Sequence, residues 1–277
     1  MNVQDYESFT SDIEALELQA QGENLEAFIY ALPLDRVESV LEVGCGSGAF
    51  IRAVARVLGP EARVCGVDIS EDHINYGQQI VQRDSLRNVS LVVGDVLDEG
   101  IADVVGRDFD LVLCRYVLMY MIPKSLEKAC LSQMKRLARS GGKVVCIEPD
   151  VNFGQERFPS PPDKLSRILS HLVAYYSQHG LIEWRSGIQL YHHLRSAGIM
   201  DVEVKLVDGR IIQGGFPKQL VEHGSKDVER LLHPYLEYIG VPELVDEVAE
   251  QWREYLRSPS NFLYTPIFMG IGTLSVP

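Results

Sequence analysis

Hydrophobic and polar residues follow two different periods along the first half of the chain. Short apolar runs lie at residues 40–43, 63–67, 89–93, 109–114 and 143–147, and all but the fourth are followed by glycine or an acidic residue. Between several of them, apolar residues recur every three or four positions, at residues 51–58, 71–83 and 125–139. The runs are typical of strands buried on both faces, and the wider spacing is typical of amphipathic helices. This alternation predicts an α/β fold with a doubly wound, mostly parallel sheet.

The second half of the chain is less regular. It predicts a helix at residues 188–197 and strands at residues 202–207 and 264–274, which raises the expected sheet to seven strands. We interpret residues 151–182 and 215–260 as helical insertions that form a lid, because ligands bind at the strand ends of open α/β sheets. Residues 1–32 are expected to form capping helices, and residues 33–150 the cofactor-binding core, of a single domain spanning residues 1–277. Gly141 and Gly142 predict a turn before the fifth strand.

Composition narrows the classes of partner. The chain has 26 Lys and Arg against 39 Asp and Glu, a net charge of −13, which argues against binding to nucleic acid or to an anionic membrane surface. No apolar run reaches membrane-spanning length, and the first cation is Arg36, so we expect neither membrane insertion nor a secretory signal. Five scattered cysteines without a C-x-x-C pair predict reduced thiols in a cytoplasmic protein. We expect no metal site, and His192 and His193 fit a helix surface.

The clearest motif is the glycine loop, defined here as residues 42–48, Glu-Val-Gly-Cys-Gly-Ser-Gly. It lies directly after a predicted strand and before a predicted helix. Gly44 and Gly46 permit a tight turn, and the N-terminus of the following helix offers free N–H groups to an anion. Asp68 ends the next predicted strand, where a carboxylate can accept hydrogen bonds from both hydroxyls of a ribose. The motif therefore predicts a nucleotide-containing cofactor.

Two cofactor classes fit this loop. With Ala49, the loop completes the G-x-G-x-x-A pattern of a dinucleotide site, and with Glu42 it completes an acidic-x-G-x-G-x-G pattern. The third predicted strand ends in Gly94-Asp95-Val96. An aspartate there can bond the amino group of adenine while the valine flanks the ring, which favours the second pattern.

With these motifs the sequence resembles the class I S-adenosylmethionine-dependent methyltransferases. It is most similar to the small-molecule branch that includes the ubiquinone and menaquinone C-methyltransferases and many natural-product methyltransferases. The resemblance covers residues 11–207 and includes the fourth strand and the turn at residues 138–143. The sequence departs from the family at Ser140, where proline is usual, and at residues 118–121, where an acid–histidine pair is common.

The resemblance implies S-adenosylmethionine as cofactor and S-adenosylhomocysteine as product. It places the loop backbone, Arg115 and Tyr116 near the methionyl part, Asp68 at the ribose, and Asp95 and Val96 at the adenine. Gln19 belongs to an N-terminal segment that often closes over the cofactor in such proteins. The cofactor-binding residues that we predict are Gln19, Glu42, Gly44, Cys45, Gly46, Gly48, Asp68, Ile69, Gly94, Asp95, Val96, Arg115 and Tyr116.

The acceptor side is less defined. Glu148 ends the fifth strand, where substrate groups often lie. His171, Tyr175 and His179 recur on one side of a predicted lid helix, a pattern that fits a packed aromatic stripe as well as a binding site. These four residues are our catalytic candidates. His171, His179, Glu148 or the nearby Asp150 would serve as a base for an oxygen or nitrogen acceptor, and a lid tyrosine such as Tyr175 would offer an aromatic face to the sulfonium. A carbon acceptor would instead need an apolar pocket.

The sequence thus predicts methyl transfer to a small, bulky apolar or aromatic secondary metabolite, on oxygen, nitrogen or carbon. Three alternatives remain open at this point. They are a cyclisation or rearrangement assisted by S-adenosylmethionine, an NAD-dependent dehydrogenase, and a non-catalytic binding module. The N-terminal or lid helices are candidate surfaces for a homo-oligomer.

Overall fold

A central twisted sheet organises the molecule, of which a computed structural model describes residues 13, 17, 20, 25–151 and 157–275. Within these residues the sheet has eight strands in the order β3-β2-β1-β4-β5-β8-β6, with β7 also paired to β8. The strands are β1 (Ser39–Val43), β2 (Arg63–Asp68), β3 (Val89–Val93), β4 (Phe109–Arg115), β5 (Ala138–Pro149), β6 (Arg157–Phe158), β7 (Asp201–Gln213) and β8 (Phe262–Thr273). Strands β1 to β5 are mutually parallel, and β8 runs antiparallel to β5, β6 and β7. The predicted doubly wound, mostly parallel α/β fold is confirmed, with seven longer strands and the two-residue β6.

Helices cover both faces of the sheet. They are α1 (Leu25–Ala31), α2 (Ala49–Leu58), α3 (Glu71–Arg83), α4 (Ile101–Val105), α5 (Lys124–Leu137), α6 (Asp163–Gln178), α7 (Ser186–Ser196), α8 (Lys218–Tyr238) and α9 (Val245–Arg257). Short 3₁₀ turns lie at Leu118–Tyr120 and Pro242–Leu244. The sequence did not predict α4, because five residues are too few to establish a helical period.

The apolar runs are continuous because both faces of the central strands are buried. In β4, Leu111 and Leu113 pack against the layer of α1, α2 and α3, whereas Val112 and Cys114 pack against α5 and α7. All four side chains are fully buried. Because apolar side chains fill both faces of these strands, polar side chains can gather only at the strand ends. A ligand site can form there.

Residues 139–142 differ from the sequence-based prediction. We predicted a turn at Gly141 and Gly142, but β5 runs through them from Ala138 to Pro149. The register with β4 shifts there, since Phe109 pairs with Ala138 and Leu111 pairs with Lys143. Gly141 has a φ of +69°, so the glycine permits an irregularity within the strand rather than a chain reversal.

His193 is a second correction, because we had expected a residue on a helix surface. It is 3% exposed, and its Nδ1 lies 3.0 Å from Oε2 of Glu127 on α5. Helix α7 packs against both α5 and the sheet, so this side of the helix faces another helix instead of solvent.

The helical segments of the second half form an apolar core of their own. Helices α6, α8 and α9 pack together through residues such as Leu169, Leu232 and Trp252. Met119, just after β4, belongs to the same cluster, and its carbonyl oxygen accepts a hydrogen bond from the Glu183 N–H at 2.8 Å. The insertions thus sit on the carboxyl end of the sheet, and their boundaries as a lid remain a prediction. Among the described residues, no helix combines the length and the apolar character needed to cross a bilayer.

Helix α3 packs so closely on the glycine loop that one position tolerates only glycine. A Cβ added at Gly77 would lie 2.3 Å from the Ser47 carbonyl oxygen. We expect Gly77→Ala to destabilise the fold by about 1–3 kcal/mol, although alanine favours a helix. Gly100→Ala is the matched control, because its Cβ would meet no atom closer than 3.4 Å, and its unfolding free energy should stay near that of the wild type. Urea denaturation measures both, and equal stabilities for the two variants would contradict the close packing.

Candidate cofactor site

The carboxyl ends of five strands lie at one edge of the sheet. The glycine loop begins with the last two residues of β1, Asp68 ends β2, Gly94 follows β3, Arg115 ends β4, and Glu148 lies at the end of β5. Because these strands are parallel, the residues that we predicted as a cofactor site from separate motifs share one edge.

The backbone of the glycine loop requires its glycines. Gly44, Gly46 and Gly48 have φ values of +65°, +54° and +76°, in the left-handed region that other residues rarely adopt. At Gly44 an added Cβ would also lie 2.4 Å from Cγ2 of Val117. The loop therefore forms the tight turn between β1 and α2 that the sequence predicts.

Asp68 holds this loop in shape. Its Oδ2 accepts a hydrogen bond from the Gly46 N–H at 2.7 Å, and its Oδ1 accepts one from the Ser70 N–H at 2.9 Å. The side chain is buried, and burial raises the pKa of this carboxyl above its usual value. Each carboxylate oxygen has a further lone pair, so Asp68 retains the capacity to accept hydroxyl hydrogen bonds.

Glu42 is the acidic residue of the predicted motif, and the structure adds that its side chain is buried. Its side chain is 2% exposed, and burial raises its pKa to about 8, against the opposing effects of Arg115 and the Ile51 N–H. In the described structure, its Oε2 has no hydrogen-bond partner. We expected a helix N-terminus open to an anion, but the start of α2 already faces a carboxyl group. A buried acceptor without a partner favours a ligand that brings a donor or a positive charge.

The adenine-side candidates lie at the end of β3. The Gly94 N–H donates to the Asp68 carbonyl oxygen at 2.9 Å, which joins the ends of β2 and β3 next to half-buried Ile69. Asp95 is exposed, and its Oδ1 accepts a hydrogen bond from the Leu97 N–H at 2.8 Å. Val96 is buried in the adjacent apolar layer.

On the β4 side, Arg115 and Tyr116 stand together. The Arg115 guanidinium lies 4.9 Å from the centre of the Tyr116 ring and 5.2 Å from that of Phe50. Tyr116 has a φ of +59°, an uncommon conformation for a tyrosine, and its N–H donates to the Ile147 carbonyl oxygen. Backbone strain of this kind tends to concentrate at functional sites.

Cys45 contributes packing. The thiol is buried, and burial raises its pKa well above the usual range, which suppresses the reactive thiolate. A Cβ on Gly66 of β2 would lie 2.8 Å from its sulfur atom, so the side chain fills the space under the loop. Cys45 and the other four cysteines are buried and form no disulfide.

Glu148 holds the turn that follows β4. It is fully buried, its Oε1 accepts from the N–H groups of Val117 and Leu118 at 2.9 and 2.8 Å, and its Oε2 accepts from Met119 at 3.3 Å. Burial raises its pKa to about 7. Glu148 therefore supports Val117, the residue that contacts the Gly44 position, and its role as a base remains a prediction.

The other catalytic candidates are His171 and Tyr175 on α6 and His179 directly after its last residue. His171 and His179 are exposed, and Tyr175 is half-buried. The Tyr175 ring lies 4.3 Å from that of His179 and 5.1 Å from that of Tyr238 on α8. Within the described residues, these ring contacts join lid helices to each other, and a contact with the acceptor remains a prediction. Gln19 lies outside the described residues.

Sequence reasoning missed a buried ion pair beside the loop. Nη2 of Arg52 lies 2.9 and 3.0 Å from the two carboxylate oxygens of Glu17, and Nη1 of Arg52 donates to the Ser47 carbonyl oxygen. The Ser47 hydroxyl donates to Oε1 of Glu17 at 2.6 Å. The available signal was the position of Arg52 in the first turn of α2, where the helix dipole disfavours a cation that has no partner.

Comparison with known proteins decides the family. A family model described as a methyltransferase domain matches residues 34–194. The demethylmenaquinone methyltransferase of Geobacillus stearothermophilus is 31% identical over 179 residues, which cover 61% of this chain and 73% of that protein.

The chain belongs to the methyltransferase family.

Solved structures agree with this methyltransferase in fold. The phosphoethanolamine N-methyltransferase 2 of Haemonchus contortus, solved with S-adenosyl-L-methionine, is 18% identical with a TM-score of 0.52. That likeness covers 91% of this chain and 52% of the Haemonchus chain, so the protein spans about half of that enzyme. A geranyl diphosphate methyltransferase, solved with the same cofactor, is 16% identical with a TM-score of 0.52, over 92% of this chain and 85% of the other.

Family membership settles the cofactor class. The protein is an S-adenosylmethionine-dependent methyltransferase, and S-adenosylhomocysteine is the product of its cofactor. The acidic-x-G-x-G-x-G pattern with Glu42 thus predicted the correct cofactor class. The dinucleotide pattern completed by Ala49 is coincidental.

The raised pKa of Glu42 predicts a pH-dependent contribution to stability. An acid with a higher pKa in the folded state than in the unfolded chain stabilises the fold at low pH and loses that contribution as pH rises. For Glu42 the window runs from its ordinary value of 4.5 to about 8. We expect Glu42→Gln to gain at least about 1 kcal/mol of unfolding free energy relative to the wild type between pH 5 and pH 8.

Urea denaturation at several pH values measures this gain. Glu26→Gln is the control, because Glu26 is exposed on α1 and this variant should follow the wild-type profile. A constant stability difference between Glu42→Gln and the wild type across this pH range would show that Glu42 does not titrate as expected.

Proposed function

We propose that this methyltransferase methylates a small, bulky apolar or aromatic acceptor bound between the carboxyl edge of the sheet and the helical insertions. The observation that supports this acceptor class is the apolar cluster shared by the two parts. Met119 is buried in it, and Tyr116, Tyr120 and Val151 pack against it partly buried. A site bordered by these side chains suits an apolar or aromatic molecule better than a highly charged one. Demethylmenaquinone, the substrate in the name of the Geobacillus relative, is the first compound to test.

The residues of the loop fit S-adenosylmethionine. Its methionyl part carries an ammonium group, and the partnerless Oε2 of Glu42 offers an acceptor for such a donor. The pyrophosphate of a dinucleotide would meet the same acidic side chain unfavourably. Asp68 would accept from the ribose hydroxyls while it braces Gly46. Gly94, Asp95 and Val96 would receive the adenine, and Gln19, Arg115 and Tyr116 would border the methionyl part.

When bound, the cofactor supplies an electrophilic methyl group on a sulfonium. The protein then mainly orients the acceptor and excludes water. The face of the Tyr116 ring, held by its unusual backbone conformation, is suited to lie near a positive charge. Glu148 keeps the turn at residues 117–119 in place. Where the acceptor must lose a proton, His171 and His179 on the lid and Glu148 or Asp150 at the end of β5 are the candidate bases, and Tyr175 is a candidate aromatic face near the sulfonium.

Cofactor binding by variants tests the assignment of Glu42 and Asp68. We expect Asp68→Asn to weaken S-adenosylhomocysteine binding by at least about tenfold, because it loses both the acceptor for ribose and the brace for the loop. Glu42→Gln should weaken binding by about tenfold and stabilise the fold at pH 8. A variant that is more stable but binds the ligand less tightly identifies a residue whose role is ligand binding. Isothermal titration measures both variants. Asp103→Asn, on an exposed position of α4, should bind as the wild type does. Wild-type affinity in both site variants would refute the assignment.

Product mass tests the reaction. With S-adenosylmethionine and demethylmenaquinone or a short-chain analogue, we expect the acceptor to gain one methylene unit and S-adenosylhomocysteine to appear in equal amount. The Asp68→Asn variant serves as the low-activity control. An acceptor that rearranges without a change of mass would favour the cyclisation alternative. If no acceptor from an apolar and aromatic panel is turned over, the protein is better described as a binding module.

Two further expectations belong to this proposal. A cytoplasmic location is supported by the buried, unpaired cysteines, and cell fractionation tests it. A homo-oligomer through the N-terminal or lid helices is tested by light scattering of the purified protein.

A further inference from the structure

His73 is a buried imidazole next to the Asp68 carboxylate. The residue is 6% exposed, and its Nδ1 lies 4.0 Å from Oδ1 of Asp68. That distance is too long for a direct hydrogen bond. In the described structure, Nδ1 is buried and has no hydrogen-bond partner. A buried polar atom in this position is unfavourable unless another molecule completes its hydrogen bonds, which points to a ligand atom between the two side chains.

The beginning of α3 holds His73 on this side of the helix. Its backbone N–H donates to Oγ of Ser70 at 3.4 Å, and the Ser70 N–H donates to Oδ1 of Asp68 at 2.9 Å. Gly77, four positions further along α3, lies on the same side of the helix and packs on the glycine loop. The imidazole is therefore on the face of α3 that is turned to the loop and to the end of β2, whereas Asn75 is on the exposed face.

The space between His73 and Asp68 fits one shared hydrogen-bonding atom. Two atoms that are 4.0 Å apart can both lie about 2.8 Å from a single oxygen. A hydroxyl suits this position, because it can donate to the carboxylate and accept from an imidazole N–H at the same time. Oδ1 of Asp68 keeps a lone pair besides the one that accepts from Ser70, so it can take part.

We propose that His73 is a further cofactor-binding residue, which donates a hydrogen bond from Nδ1 to a ribose hydroxyl that itself donates to Asp68. This inference rests on the proposed placement of the cofactor, with its ribose at Asp68. The site would then recognise the hydroxyl oxygen as an acceptor as well as a donor. Cofactor affinity should therefore depend on that one oxygen more strongly than a carboxylate alone requires.

Paired changes in the protein and in the ligand test this contact. Isothermal titration measures the affinity of S-adenosylhomocysteine and of its 2′-deoxy and 3′-deoxy analogues for the wild type and for His73→Leu. The wild type should bind the analogue without the contacted hydroxyl at least about tenfold more weakly than the parent compound. In His73→Leu, we expect affinity for the parent compound to fall about fivefold and the penalty for that analogue to shrink by about the same factor, because the donor to the hydroxyl is gone.

Two further variants serve as rescue and control. His73→Asn should restore much of the affinity and of the discrimination between ligands, since the asparagine amide offers an N–H donor close to the position of Nδ1. Asn75→Leu introduces the same apolar residue at an exposed position of the same helix and should bind all three ligands as the wild type does. Should His73→Leu fail to fold, His73→Met takes its place, because an unbranched side chain adapts better to an irregular space.

The contrary outcomes are distinct. If His73→Leu weakens binding of all three ligands by the same factor, the imidazole acts through Asp68 or through packing, and the proposed contact is refuted. Unchanged affinities would mean that water alone completes the hydrogen bonds of Nδ1, which also refutes it. If Asp68→Asn binds as the wild type does, the placement of the ribose is itself wrong. If Asp68→Asn loses affinity while His73→Leu keeps the full discrimination, the placement stands and the role of His73 alone fails.

Discussion

The hydrogen bond from the Gly46 amide to the Asp68 carboxylate is the interaction on which the candidate cofactor site depends. It ties the turn after β1 to the end of β2, and the same carboxylate accepts from Ser70, whose side chain caps α3. The carbonyl oxygen of Asp68 accepts from Gly94 and so fixes the end of β3. Three strand ends are thus set by one residue. The left-handed glycines of the loop supply the conformational freedom that this arrangement requires.

The carboxyl edge of the sheet contains buried acidic side chains, and their burial is energetically unfavourable. Glu42, Asp68 and Glu148 all lose water, and all have raised pKa values. Asp68 and Glu148 recover part of the loss through backbone N–H groups, whereas one oxygen of Glu42 recovers none in the described structure. A fold optimised for stability alone would replace such a group with an apolar one. Its presence supports the proposed role of Glu42 in ligand binding.

How much of the structure could be predicted depends on how far apart in the chain the interacting residues lie. Strand β3 and helix α3 were predicted to the residue, because an apolar run or a capped amphipathic segment is a local signal. The glycine loop was equally visible, since its chemistry lies in seven consecutive residues. Gly141 and Gly142, which lie within β5, were misinterpreted as a turn, because a glycine pair can serve a turn or a bulge and only the pairing with β4 distinguishes the two. His193 and Arg52 were hidden for another reason: each is defined by an acidic partner far away in the chain.

The separate apolar core of the insertions has an evolutionary consequence. Most of that cluster comes from α6, α8 and α9, and it meets the sheet at a few residues after β4. If the acceptor binds against this cluster as we propose, substitutions among those helices can reshape its site while the glycine loop and its carboxylates stay intact. The candidate cofactor site and the proposed acceptor side are therefore built from largely separate sets of residues. A new acceptor preference can then evolve through substitutions in α6, α8 and α9, because each intermediate sequence still binds the cofactor.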